Sequence, residues 1–343
     1  MRSEHQFRRT QLAQALKQVR RVFNLGAVHQ FNEAPGDLLR GTLSTGVQSI
    51  DRLVGGRGLQ RGCIAEIFGP ASSGKTSLAL HCIAAAQQAG ENAAFIDAEH
   101  ALSRTYVTCL GVDPSSLLIS QPRSGEAALE ITEALIRSSG VGLVVVDSVA
   151  ALVPRAELED KLNERHLGVH ARMMSEALRR ITGLAKRYGT TVLFINQVRT
   201  KLRPCAGVVE TTTGGRALKF YSTLRIELRQ EGLLQRASKT VGVRIRVLVI
   251  KNRAAPGFQS TEIDLYFDRG ICPAIDLIQL GVKEGVIHRR KGALIWDGRA
   301  ITGKSSFAQE LRQEPNKMRR LREQVSLAHH TAELDKTARL DKG

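Results

Sequence analysis

Aromatic side chains make up only 4% of this sequence, which excludes a binding surface built chiefly on stacked rings. Cysteine is scarce and scattered. Cys63, Cys82, Cys109, Cys205 and Cys272 are five in number and never fall in a CxxC spacing, so neither a zinc cluster nor a disulfide framework is expected, and a reducing cytosol fits best. Long apolar runs are missing too: the most apolar stretch, Leu143 to Val153, is short and interrupted by Asp147. The N-terminal MRSEHQFRRT has no apolar centre for a signal peptide, so secretion and membrane spanning are not expected and a cytoplasmic location is. Acidic residues form the last shortage, with 33 Asp+Glu against 50 Lys+Arg and a formal charge of +17. That surplus calls for a polyanionic partner, nucleic acid first and an acidic membrane surface second.

The 343 residues suffice for one large core with smaller appendages. Leu12, Leu16, Val19 and Phe23 recur at helical spacing beside a basic face with Lys17, Arg20 and Arg21, which reads as a short arm over residues 1–40. From residue 41 strands and helices alternate. Ile64 to Phe68 reads as a strand, a helix runs from Lys75 to Gly90, and Ala93 to Ile96 is a second strand. A helix near Glu126 to Ser138 precedes the strand Leu143 to Val146. Met174, Leu178, Ile181, Ala185 and Tyr188 then stripe a long helix that Gly189 stops, before the strand Thr191 to Ile195. Alternation in Leu224, Ile226, Leu228 and in Val243, Ile245, Val247, Val249 adds half-exposed strands to one edge. The fold class is therefore α/β: a twisted, mostly parallel mixed sheet flanked by helices. Two stretches, 157–168 and 198–215, carry neither period and read as long irregular functional loops. After Cys272 a small basic unit follows over 273–333, with eleven Lys+Arg against four Asp+Glu in 283–322, and then a tail, 334–343.

The octet Gly69-Pro70-Ala71-Ser72-Ser73-Gly74-Lys75-Thr76 has the spacing Gly-x4-Gly-Lys-Thr between an expected strand and helix. Backbone amides there can wrap a triphosphate, aided by the positive end of the helix. Lys75 would neutralise the β and γ phosphates and Thr76 would hold Mg²⁺; ATP is the expected nucleotide. Asp147, closing the strand Leu143 to Val146, supplies a second position for the Mg²⁺ shell, the alternative being a cap on the following helix. Glu99 and Gln197 leave strand ends on the same expected edge, where ligands of open parallel sheets bind. Glu99 can orient water and Gln197 can sense the γ-phosphate; both could equally be solvated loop residues. Arg199, Lys201, Arg203 and Arg216, with Gly214 and Gly215, give the second loop the means to follow a nucleic-acid backbone, or simply a solvated basic surface.

The runs GPASSGKT, FIDAEHAL, VVVDSVAALVP, ARMMSEALRR, FINQVR, ETTTGGRALKFY and IKNRAAP, in this order and spacing, resemble the bacterial RecA recombinase family over nearly the whole chain. The resemblance implies a polymerisation arm over 1–40, a RecA-type ATPase core over 41–272 with DNA-binding loops at about 157–168 and 198–215, and a small α+β DNA-binding domain over 273–333. It implies a DNA-dependent ATPase that forms helical homo-polymers on single-stranded DNA. Pairing with duplex DNA, strand exchange in recombinational repair, and LexA self-cleavage in the SOS response would follow. By the same resemblance Glu99 is the catalytic carboxylate, Tyr106 stacks on adenine, Gln197 switches between γ-phosphate and DNA loop, and Lys251 and Arg253 reach the ATP of the neighbouring subunit. Leu167 and Leu202 would wedge between bases, while Arg172, Ser175, Arg179, Arg199, Gly214, Gly215 and Arg216 would line the strand and Arg229 and Arg246 would hold a displaced one.

Some positions depart from the pattern that the resemblance implies. Ser103 replaces an Asp near the adenine, which points to relaxed nucleotide selectivity, and Pro204-Cys205-Ala206 replaces an aromatic in the second loop. Gln230 and Leu248 stand where neighbours of Arg229 and Arg246 are usually basic, and the tail is not acidic, which predicts less restrained, more salt-sensitive DNA binding. A second reading is therefore a regulatory filament protein with weak strand exchange. A third, a P-loop kinase of a small metabolite, is disfavoured by the two long loops, the second of them basic.

Overall fold

The computed structural model describes residues 10–15, 17, 18, 21, 41–56, 58–159, 168–203, 207–290 and 292–340. Leu16, Val19, Arg20, Phe23, Leu167, Pro204-Cys205-Ala206 and the last three residues lie outside them. Contacts divide the chain into two units, Met1–Gly41 and Thr42–Gly343. In the first, residues 10–15 are helical.

The second unit opens with β1 (Thr42–Leu43), α1 (Gln48–Leu53) and β2 (Leu59–Gln60), β1 and β2 pairing antiparallel. Next come β3 (Ile64–Gly69), α2 (Lys75–Gln88), β4 (Ala93–Asp97), α3 (Arg104–Cys109), β5 (Leu117–Ser120), α4 (Gly125–Arg137) and β6 (Leu143–Asp147). After α5 (Arg155–Glu159) and α6 (Val169–Tyr188), β7 (Thr191–Arg203) and β8 (Gly207–Thr212) form a hairpin, and α7 (Ala217–Tyr221) follows. The strands β9 (Leu224–Arg236), β10 (Lys239–Asn252), β11 (Ser260–Tyr266) and β12 (Gly270–Ile271) complete the sheet.

Strand order is β12-β11-β10-β9-β3-β7-β6-β4-β5. From β9 to β5 neighbouring strands run parallel, and from β9 to β12 they run antiparallel. The parallel strands β3, β4 and β6 are buried along their whole length, as strands covered on both faces must be. One face packs on α1, α2 and α3 through Ile50, Leu78, Ile83 and Val107. The other packs on α4, α6 and α7 through Leu129, Ile136, Met174, Leu178, Ile181 and Leu218. In α6 the buried residues Met174, Leu178, Ile181 and Ala185 fall four, three and four apart, one stripe of a helix, and Gly189 ends it in the left-handed conformation at φ 77°.

The last part carries its own apolar core. α8 (Pro273–Lys283), the meander β13 (His288–Arg290), β14 (Ala293–Trp296) and β15 (Arg299–Ile301), α9 (Lys304–Gln313) and α10 (Pro315–Leu340) bury Leu277, Trp296, Phe307, Leu311, Leu321 and Val325 together. Ser49 at the start of α1 donates its backbone N–H, at 3.0 Å, and its hydroxyl to Asp276 of α8, which ties this part to the sheet domain.

Two expectations change. The stretch 198–215 is not irregular: β7 runs on through Arg203 and pairs with β8 from Val198↔Thr212 to Arg203↔Gly207. Val198, Thr200 and Leu202 alternate with Arg199, Lys201 and Arg203 in the period of a strand, a signal that the threonine, glycine and basic content of the stretch outweighed. The stretch expected as a tail from 334 instead continues α10 as far as Leu340. Among the described residues no helix is long and apolar enough to cross a membrane.

Candidate nucleotide and nucleic-acid site

The glycine-rich turn joins β3 to α2. Gly69 must be glycine because a Cβ there would lie 2.2 Å from the carbonyl oxygen of Leu228, and Gly74 sits at φ 87°, which L side chains rarely adopt. The turn ends at the N-terminus of the 14-residue α2, whose free amides and dipole favour an anion. Lys75 Nζ donates to Pro70 O at 2.6 Å, and burial lowers its pKa against the raising influence of Asp147 and Glu99. Ser73 Oγ is buried with no hydrogen-bond partner. A donor so placed in a phosphate-sized cradle fits a phosphate oxygen.

Asp147 ends β6 opposite Asp97 of β4. Its Oδ2 accepts from Thr76 Oγ1 at 2.6 Å, which puts the two groups expected to hold Mg²⁺ side by side. Burial, above all, pushes the Asp147 carboxyl up to about 6; Glu99 and Asp97 add to the rise, and Thr76 and Lys75 oppose it. A divalent cation would relieve that strain on the carboxylate, so the donor set fits Mg²⁺. A cavity of about 330 Å³ opens between Thr76, Asp97, Glu99, Ser103, Tyr106 and Asp147. Glu99 Oε1 accepts both Ser148 Oγ and, at 3.0 Å, Gln197 Nε2. Gln197 is paired with Gly69 across β3 and β7, so the glutamine and the first glycine of the turn share one level of the sheet. Tyr106 shares a hydrogen bond with Ser77 Oγ at 2.6 Å, and Ser103 begins α3 without a side-chain cap.

Arg172, Ser175 and Arg179 lie three and four apart on α6, one face of the helix. The end of the hairpin meets that helix. A Cβ at Gly214 would touch Val149 and Met174, and one at Gly215 would touch Ala171. Of the second loop, Arg199 lies on β7 and Arg216 opens α7, while 160–167 of the first loop are outside the described residues. Arg229 and Arg246 face each other across β9 and β10, each beside a carboxylate, Glu227 and Glu231 respectively. Leu202 lies on β7, and Leu167 is outside the described residues.

Lys251 and Arg253 lie away from this cavity, at the far end of β10. Lys251 Nζ donates to the carbonyls of Lys219 at 2.8 Å and Phe220 at 3.1 Å, which close α7. Sequence reasoning missed Ser148, for which adjacency to Asp147 was the available signal. It also missed Glu66, a carboxylate inside an otherwise apolar strand.

The sequence profile of the RecA N-terminal domain family matches residues 10–272. The chain belongs to the RecA family. Protein RecA of Gluconacetobacter polyoxogenes is 46% identical over 91% of this chain and 91% of its own length. Protein RecA of Thermus aquaticus is 45% identical over 93% of this chain and 94% of its own. Among solved structures, the RadB recombinase superposes with a TM-score of 0.51 at 25% identity, covering 67% of this chain and 98% of the other. A RecA-family member is a DNA-dependent ATPase of recombinational repair that uses ATP and Mg²⁺ and polymerises on DNA, and this chain is one.

Proposed function

We propose that ATP bound at Gly69–Thr76 is hydrolysed by water that Glu99 orients, and that Gln197 reports the γ-phosphate to the β7–β8 hairpin. The observation that carries this reading is the continuity of β7: Gln197, bonded to Glu99 at 3.0 Å, and the hairpin belong to one strand. Thr76, with Asp147 acting through water, would hold Mg²⁺, which would supply charge neutralisation to the phosphates. Lys75 binds the same phosphates once it leaves Pro70. Tyr106 stacks on the adenine. When Gln197 turns to the γ-phosphate it leaves Glu99 free to take the proton of the attacking water. Lys251 and Arg253 complete the site of the adjoining subunit, where cations stabilise charge on the transferred phosphoryl group.

DNA lies along Arg172, Ser175, Arg179, Arg199, Gly214, Gly215 and Arg216, with Leu167 and Leu202 as wedges and Arg229 and Arg246 for a second strand. Most of these contacts are to phosphate, so binding is independent of base sequence. Residues 1–40 serve polymerisation and 273–333 duplex binding; the filament acts in the cytoplasm and promotes self-cleavage of a LexA-type repressor. ATP turnover measured with and without single-stranded DNA tests the reading, stimulation being expected and equal rates removing the coupling. The register of Leu248 opposite Glu227, and of Ile245 opposite Gln230, favours a second reading, a filament with weak strand exchange. Full-length heteroduplex product would remove it.

A further inference from the structure

A buried polar network lies in β3, the strand that leads into the nucleotide turn, whose other residues are apolar. Glu66 is the middle of β3, flanked by Phe194 of β7 on one side and Arg225 of β9 on the other. Glu66 is wholly buried and Arg225 is 7% exposed. Arg225 Nε donates to Glu66 Oε2 at 2.5 Å, and its guanidinium lies 4.5 Å from the centre of the Phe68 ring. The other carboxylate oxygen accepts from Asn196 Nδ2 at 2.9 Å. Such a pair gains little for stability over an apolar pair of the same size, because both charges lose their hydration. Its geometry indicates another use.

Asn196 is bonded in three directions. Besides Glu66, its amide donates to Thr213 O at 2.9 Å, and its Oδ1 accepts the backbone N–H of Gln197 at 2.9 Å. Thr213 follows β8 directly and precedes the Gly214-Gly215 turn into α7. Both ends of the hairpin are thus fastened to one side chain. The last carbonyls of α7 in turn hold Lys251, whose pKa is lowered first by burial and then by Arg253 and Arg225. Thr213 Oγ1, at the base of the hairpin, is buried without a hydrogen-bond partner.

We propose that Glu66, Arg225 and Asn196 form a positioning relay that fixes the base of the β7–β8 hairpin and α7 to the position of Gln197, and through α7 governs whether Lys251 is held by its own chain or released to a neighbour. The proposal rests on the reading of Gln197 given above and adds to it the parts that move. None of the three touches nucleotide or DNA. They act on residues that do. A shift of the Gln197 backbone toward the γ-phosphate pulls Asn196 through its Oδ1; Glu66, clamped by Arg225, is the fixed point against which Asn196 turns; Thr213 and α7 follow.

The test uses the full chain. Asn196→Asp keeps shape but replaces two donated hydrogen bonds by a charge facing Glu66. It is expected to leave ATP affinity and DNA-free turnover within about twofold and to lower stimulation by single-stranded DNA about tenfold or more. Adding Glu66→Gln to Asn196→Asp exchanges donor and acceptor between these two side chains at constant charge but leaves Thr213 O without its donor, so it is expected to recover stimulation only in part, to about threefold above that of Asn196→Asp alone. Undiminished stimulation in Asn196→Asp, or a loss that the exchange does not relieve, would overturn the relay. Should thermal unfolding show that Asn196→Asp does not fold, Arg225→Lys is read instead, with reduced stimulation expected and full stimulation overturning the relay. No stimulation in the unsubstituted protein would remove the reading of Gln197 together with the relay, whereas normal stimulation in all variants removes the relay alone.

Discussion

The nucleotide pocket and the surface proposed to face DNA would both have phosphates to hold, and they are built in opposite ways. In the pocket the partners are few, buried and crowded: Lys75 folded onto Pro70, Asp147 bonded to Thr76, Ser73 without a partner. Along α6 and the β9–β10 pair the cations are spread out and exposed, and several rest on carboxylates of the same chain, as Arg172 does on Glu176 and Arg229 on Glu227. Low local dielectric makes each pocket group valuable and hard to replace, whereas surface arginines are individually cheap, additive and screened by salt. A triphosphate must be held in one geometry for chemistry. A strand of arbitrary sequence must only be held.

Four substitutions or conditions sharpen that contrast. Glu99→Gln is expected to slow turnover about a thousandfold while ATP affinity stays unchanged, the mark of a group needed only for proton removal; single-turnover hydrolysis beside equilibrium binding checks it. Lys75→Ala is expected to weaken ATP about a hundredfold with the fold retained, read by nucleotide titration and circular dichroism. Because the Asp147 carboxyl is raised to about 6, its protonated form predominates below that pH and competes with the cation. Apparent Mg²⁺ affinity should therefore weaken about tenfold per unit as pH falls below 6 and level off above it, measured by calorimetry. For stability the same shift has the opposite sign: the folded chain holds the proton more tightly than the unfolded one, so this group's contribution is full below about pH 4 and is lost as pH rises through 6. On the DNA side, Arg172→Ala or Arg179→Ala should cost only a few-fold in affinity and reduce the salt dependence by about one unit of slope each. A hundredfold loss from either would erase the contrast.

What was legible in the sequence follows the same division. The turn at Gly69–Thr76 and the carboxylates at strand ends are local signals, each needing only a motif beside a strand. The hairpin hid because the strand-like alternation of Val198 to Arg203 is short and is followed by Pro204, glycine and several threonines, which read as loop. The bond between Glu66 and Arg225 spans 159 residues and exists only because β9 lies beside β3, a neighbour relation that periodicity does not reveal. Lys251 was assigned by resemblance to a neighbouring subunit, and nothing in its sequence surroundings told of the α7 carbonyls that hold it.

Strand β7 is paired with β3 as far as Gln197 and beyond that point only with β8. The sheet therefore acts as a clamp and Gln197 as a fulcrum, with the six residues from Val198 to Arg203 as a free arm of roughly 20 Å. A tilt of about 10° at the fulcrum carries the tip through roughly 3.5 Å, close to the rise of one nucleotide along a strand of B-form DNA. If the hairpin holds DNA as proposed, an angular change small enough to leave the pocket packed would be large enough to lengthen or release the strand by one step.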